Sequence, residues 1–149
     1  MIEKEGFMQL SEKGKTLIKK YEGLKLSAYK CPAGVWTIGY GHTAGVVMGQ
    51  KISEKQADEF FDKDIKQFED AVNSLVKVPL KQGQFDALVS FVYNVGKTAF
   101  ANSTLLKLLN QKKYALAGNE LSRWVYVRDK KLVGLVKRRI DEKFLFFAS

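Results

Sequence analysis

Over most of the chain the apolar positions recur at helical spacing, and in one early stretch they change to a looser, strand-like alternation. Residues 1–9 show no period and are expected to fray. Leu17, Ile18 and Tyr21 then mark a first helix from Ser11, a good N-cap, to Glu22, with Gly23 as its stop. From Lys25 to Tyr40 the pattern is irregular, with turn chemistry at Pro32–Gly34 and glycines at 39 and 41, which predicts short antiparallel strands and a hairpin in a strand-rich segment reaching about Met48. Ser53 with Gln56 reads as a capping box. It opens a long helix to Val76 along the stripe Ala57, Phe60, Phe61, Ile65, Phe68, Val72 and Leu75, with Pro79 shortly beyond. Phe85, Leu88, Val89, Val92 and Val95 predict the most apolar helix, stopped by Gly96 and placed at the centre of a helical lobe. Ser103 caps a short helix carrying Leu105, Leu106, Leu108 and Leu109. A further helix is expected over Ala115–Val125, with Trp124 in the core, and a charged turn over Arg128–Lys131. Val136, Ile140, Phe144 and Phe147 outline a closing helix whose basic side carries Lys137, Arg138 and Arg139.

Composition narrows this picture. With 149 residues and 46% hydrophobic content the chain suits one core, so a single, bilobed domain over 1–149 is expected, its sheet lobe at about 23–50. Twenty-five basic against 16 acidic residues give a net charge of +9, which favours an anionic partner without choosing among nucleic acid, lipid and wall polymer. One cysteine permits no internal disulfide, and with one histidine it makes a poor zinc set, so no metal or cofactor is expected. The N-terminal ten residues lack a signal-like apolar run and no window approaches a membrane span, so a chain made in the cytoplasm, without membrane insertion, is expected.

Candidate chemistry gathers in Tyr21–Thr43. Glu22 faces the negative end of the first helix's dipole, a setting that disfavours the anion and suits a proton donor. Eight residues separate it from Cys31, and five separate Cys31 from Thr37, so a hairpin would bring the thiol and hydroxyl side by side. Each alone has an ordinary reading: a solvated glutamate, a small buried hydrophobe and a strand-forming threonine. Asp64 lies on or beside the apolar stripe of the long helix, where a carboxylate either rotates to the solvent edge or takes a partner, His42 being the candidate.

The Glu-x8-Cys-x5-Thr spacing followed by IGYGHT, together with FDALVSFVYNVG at 85–96 and GLVKRRIDEKFLF at 134–146, resembles the phage-type lysozymes, the endolysin family that includes the T4 and lambdoid phage enzymes. The resemblance implies an α+β lysozyme-like fold, a small antiparallel sheet lobe joined by a long helix to a mainly helical lobe. It also implies hydrolysis, without cofactor, of the β-1,4 bond between N-acetylmuramic acid and N-acetylglucosamine in peptidoglycan. Glu22 would be the acid, while Thr37 and Cys31, the latter where many relatives have Asp, would hold the water. His42 and Asp64 would form a structural pair, and Asn94 would bond a sugar. Arg138 or Arg139 would lie against Glu22, their alternative being a solvated basic face. The implied partners are glycan strands and a holin-like pore that releases a monomeric enzyme from the host cytoplasm to the periplasm or wall, with no role for nucleic acid. A lytic transglycosylase cutting the same bond without water is the nearest rival, and a non-enzymatic basic module binding wall polymer or nucleic acid is the rival from another class. Inverting and retaining outcomes both remain open.

Overall fold

In the computed structural model, residues 7–148 are described. Their elements run α1 (Glu12–Glu22), β1 (Lys25–Lys30), β2 (Trp36–Gly39), α2 (Glu54–Leu75), α3 (Gln82–Val95), α4 (Lys97–Ala101), α5 (Thr104–Asn110), α6 (Tyr114–Glu120), β3 (Tyr126–Val127), β4 (Lys130–Lys131) and α7 (Val133–Phe147). Two compact units divide the chain: one holds the segment up to Ile18 and everything from Phe68 onward, the other Lys19–Gln67.

The smaller unit forms for the reasons its sequence announces. Gly23, at φ +72°, ends α1 in the left-handed region that glycine tolerates best. β1 and β2 pair antiparallel, with Tyr29 opposite Thr37 and Lys30 opposite Trp36, and a register shift between Lys25 and Tyr29. The strands end at Gly39, short of the expected Met48. The loop beyond rejoins the sheet only through Lys51, bridged to Ser27, with Ala28 donating to the Gln50 carbonyl and Ile52 to that of Leu26. Ser53 and Gln56 close the capping box in both directions, at 2.9 and 3.1 Å. Ile38, Ala57, Phe61 and Ile65 are buried beneath the sheet, and Tyr40 meets Phe61 edge-on at 5.6 Å. Lys19 ties the end of α1 to α2 by an ion pair with Asp58 at 3.0 Å, its ammonium lying over the rings of Tyr40 and Phe61.

In the larger unit α3 is buried from Phe85 to Val92 and packs against α7. The segment before α1 is pinned rather than frayed where it is described: Met8 exchanges two hydrogen bonds with Asn73, and Leu10 donates to Glu69 at 2.7 Å. Residues 1–6 of the stretch expected to fray lie outside the described residues. Ser11 gives its amide and its hydroxyl to Asp86, a buried acid on α3.

Two further expectations do not hold. The helix expected over Ala115–Val125 stops at Glu120 and tightens into a 3-10 turn at Leu121–Arg123. Trp124 then leaves helical geometry at ψ +59° and sets its ring, half-buried, edge-on to Phe91 at 5.2 Å. The stripe Val136, Ile140, Phe144 and Phe147 is not the buried face of α7. That face carries Arg138, Arg139, Glu142 and Phe146, whereas Ile140, Phe144 and Phe147 are exposed. The charged turn at Arg128–Lys131 forms as a two-residue hairpin loop, with Arg128 and Asp129 both at positive φ and Val127 opposite Lys130.

Candidate active site

The end of α1 and the β1–β2 turn carry the residues singled out in the sequence. Glu22 is the last residue of α1 and half-buried. The turn is closed by the Cys31 amide donating to the Val35 carbonyl at 3.0 Å and the Gly34 amide to the Cys31 carbonyl at 2.8 Å. This folds Thr37 back alongside Cys31. The Thr37 hydroxyl donates to the Val35 carbonyl at 2.9 Å and also lies close enough to the sulfur to favour its ionised form. The backbone N–H of Val35, then that of Ala33, contribute more, and together they hold the Cys31 thiol below its ordinary value against a smaller opposing effect of burial. A thiol that is otherwise a weak base at neutral pH is thereby shifted toward thiolate.

Tyr29, not among the candidates the sequence suggests, belongs to this cluster. Burial raises its hydroxyl pKa first, and the charges of Cys31 and Glu22 raise it further, so the tyrosine feels both groups. Its signal in the sequence is its place two residues before Cys31, near the end of the strand that leads into that turn.

His42 and Asp64 meet, Nδ1 to Oδ2, at 2.7 Å, and the imidazole stacks on Phe60 with centroids 4.2 Å apart. Two backbone bonds of 2.9 Å between Ile38 and His42 hold the chain just after β2. The pair therefore braces the base of the hairpin against α2.

The model of the family described as phage lysozyme matches residues 19–142. The chain belongs to the phage lysozyme family. It is 50% identical over 143 residues to an endolysin of Acyrthosiphon pisum secondary endosymbiont phage 1, covering 93% of this chain and 98% of that one. It is 48% identical over 142 residues to an endolysin of Bacillus phage PZA, of whose length it spans 55%. Among solved structures, the muramidase domain of SpmX from Asticaccaulis excentricus matches with a TM-score of 0.88 and 38% identity over 93% of this chain and 97% of that one. The lysozyme-like α+β fold is thus shown by a match to a phage lysozyme family model and by a solved relative.

Arg138 and Arg139 are 4% and 1% exposed, which overturns the solvated basic face. Glu142, one turn on, explains it: Arg139 binds its Oε1 at 2.6 Å and Arg138 its Oε2 at 3.3 Å, while the Ser90 hydroxyl adds a bond of 2.6 Å. Further donors reach the Ser90 carbonyl, the Trp124 carbonyl and the side-chain oxygen of Asn94. Burial pulls the Arg139 pKa down and Glu142 pushes it back up. Asn94 is exposed and held at its oxygen by this cluster. Glu142 was missed in the sequence, although two arginines three and four residues before an acid signal such a fork.

Proposed function

We infer that this chain is a muramidase and acts as an endolysin, hydrolysing the β-1,4 bond between N-acetylmuramic acid and N-acetylglucosamine of bacterial peptidoglycan. The observation that carries the reading is the placement of Glu22 at the end of α1 beside a hairpin that sets Cys31 against Thr37, within a match to the phage lysozyme family over residues 19–142. Glu22 gives its proton to the leaving oxygen. Cys31, eased toward thiolate, and Thr37 orient the water that attacks the anomeric carbon as its bond to the leaving oxygen breaks, and the thiolate takes up the water's proton. His42 and Asp64 position the hairpin, Arg138 and Arg139 fix Asn94, and Asn94 bonds a sugar substituent.

The enzyme works as a monomer, as one catalytic domain over residues 1–149, and engages no nucleic acid. It gains access to the wall from the host cytoplasm through a lesion made by a holin-like protein. Mass analysis of the muropeptides released from purified peptidoglycan tests the reaction. Reducing N-acetylmuramic acid ends are expected, and anhydro ends would replace hydrolysis by transglycosylation. Wall lysis by the expressed enzyme only when a holin is co-expressed tests the route.

A further inference from the structure

The inverted α7 leaves an apolar stripe outside. Val133, Ile140 and Phe144 are 70%, 59% and 74% exposed, and with Lys137 and Phe147 they keep a three-and-four spacing along one side of the helix. The stripe is about 21 Å long at 1.5 Å per residue. Ile140 and Val136 also line a hollow of about 620 Å³ shared with Tyr126, Arg123 and Lys131, and no acidic side chain lines it. Arg123 is offset by Glu120 at 3.4 Å, whereas Lys137 stands exposed within the stripe itself.

Large apolar side chains in a row, rimmed by cations on a chain of net charge +9, describe the polar-apolar boundary of an anionic bilayer more closely than any other partner. A second copy would bring an identical cationic rim, setting like charges together across a symmetric contact. A soluble polyanion would use the cations and leave Phe144 and Ile140 without a role. We propose that this face of α7 is an interfacial docking surface for anionic lipid, the apolar stripe entering the boundary between headgroups and acyl chains while Lys131, Lys137 and Arg123 meet lipid phosphates. The helix lies in the surface and does not span it, in keeping with the finding that, among the described residues, no helix is long and apolar enough to cross a membrane. Docking concentrates the protein at a lipid surface independently of its chemistry on the wall.

Co-sedimentation of the full chain with vesicles tests this, comparing phosphatidylglycerol mixed with phosphatidylethanolamine against phosphatidylcholine alone at about 0.1 M salt, where exposed charges are only partly screened. Partitioning onto the anionic vesicles should be at least tenfold stronger. The double variant Ile140→Ser, Phe144→Ser should lose at least tenfold of it, and Lys131→Glu, Lys137→Glu should lose the preference for anionic lipid. Both should retain parental melting and parental turnover of lipid-free peptidoglycan, a readout that separates docking from the proposed hydrolysis. Equal binding to neutral vesicles, undiminished binding by the serine variant, or a solution dimer that the serine variant dissolves would each overturn the proposal.

Discussion

Two clusters of charged and polar side chains in this molecule, one around Glu142 and one around Cys31, are built on opposite terms. Around Glu142 on α7, two buried arginines, a buried serine and two backbone carbonyls answer one another, with only Asn94 at the exposed edge, and Glu142 is completely buried. Around Cys31, a half-exposed thiol and a hydroxyl pair at a turn where backbone N–H groups shift the thiol toward its ionised form, and Tyr29 feels both that thiol and the carboxyl of Glu22 at the end of α1. The first arrangement is saturated, and removing one member strands a buried charge. The second keeps its thiol and its carboxyl partly open to solvent beside a buried hydroxyl, the access that acid-base chemistry needs. Perturbed charges alone therefore do not single out a candidate active site; access of the thiol and carboxyl to solvent distinguishes the two clusters.

The sharpest test of the comparison removes one acid from each side. Glu22→Gln should lower kcat by about 10²–10⁴-fold, the usual range for a general acid, while leaving the thermal melt unchanged. Wild-type turnover on purified peptidoglycan would dissolve the distinction. Glu142→Gln should do the reverse, destabilising the fold by about 3–5 kcal/mol in denaturant titration because two buried guanidiniums lose their counter-charge. A melt within 1 °C of the parent, a rough limit for negligible change, would mean that the buried network is not the stabilising element it is taken to be.

Cys31 gives the next largest effect. Cys31→Asp should keep activity and Cys31→Ala should lose about tenfold or more, measured beside their melts. Because the folded thiol lies below its ordinary value, its contribution to stability is present above the unfolded pKa and is lost as pH falls through the folded one. Alkylation by iodoacetamide should accordingly persist to lower pH in the native protein than in urea, and a native profile displaced to higher pH would reverse the assignment.

How much of this was legible in the sequence depended on whether the signal was local. The N-cap at Ser11, the capping box at Ser53 and Gln56, the stop at Gly23 and the hairpin turn all rest on side chains within a few residues of the backbone they satisfy, and they were readable. The face of α7 was not, because hydrophobicity ranks Ile140 and Phe144 inside and Arg138 and Arg139 outside. Glu142 supplies the counter-charge from the same helix, but the other partners that complete the burial of the arginines, Ser90 and Asn94, lie on α3. Asp86 escaped notice for the same reason, its partner Ser11 being 75 residues away. At the site, the spacing of Glu22, Cys31 and Thr37 was visible, whereas the electrostatic reach of Tyr29 to two of them required the fold.

Smaller effects sharpen the frame that carries the site. Asp64→Asn should destabilise by about 0.5–1.5 kcal/mol in a urea titration, the usual net range for one hydrogen bond, here at a partly buried position. Gly23→Ala should destabilise by about 1 kcal/mol through its left-handed backbone alone, since an added Cβ there meets nothing within 4 Å. A neutral result in a urea titration would show that α1 does not depend on this residue to end at Glu22.

The anchoring of α1 by Asp86 has a consequence for synthesis. Ser11 leaves the peptidyl-transferase centre early, but the acid that receives its amide and hydroxyl lies 75 residues later. At about 5–20 residues per second, translation supplies that acid roughly 4–15 s afterwards. Until then the start of the helix that ends in Glu22 lacks its tertiary clamp, and an isolated helix of this length is marginal in water. The helix that presents the proposed proton donor is thus clamped at its start only after more than half of the polypeptide has been made.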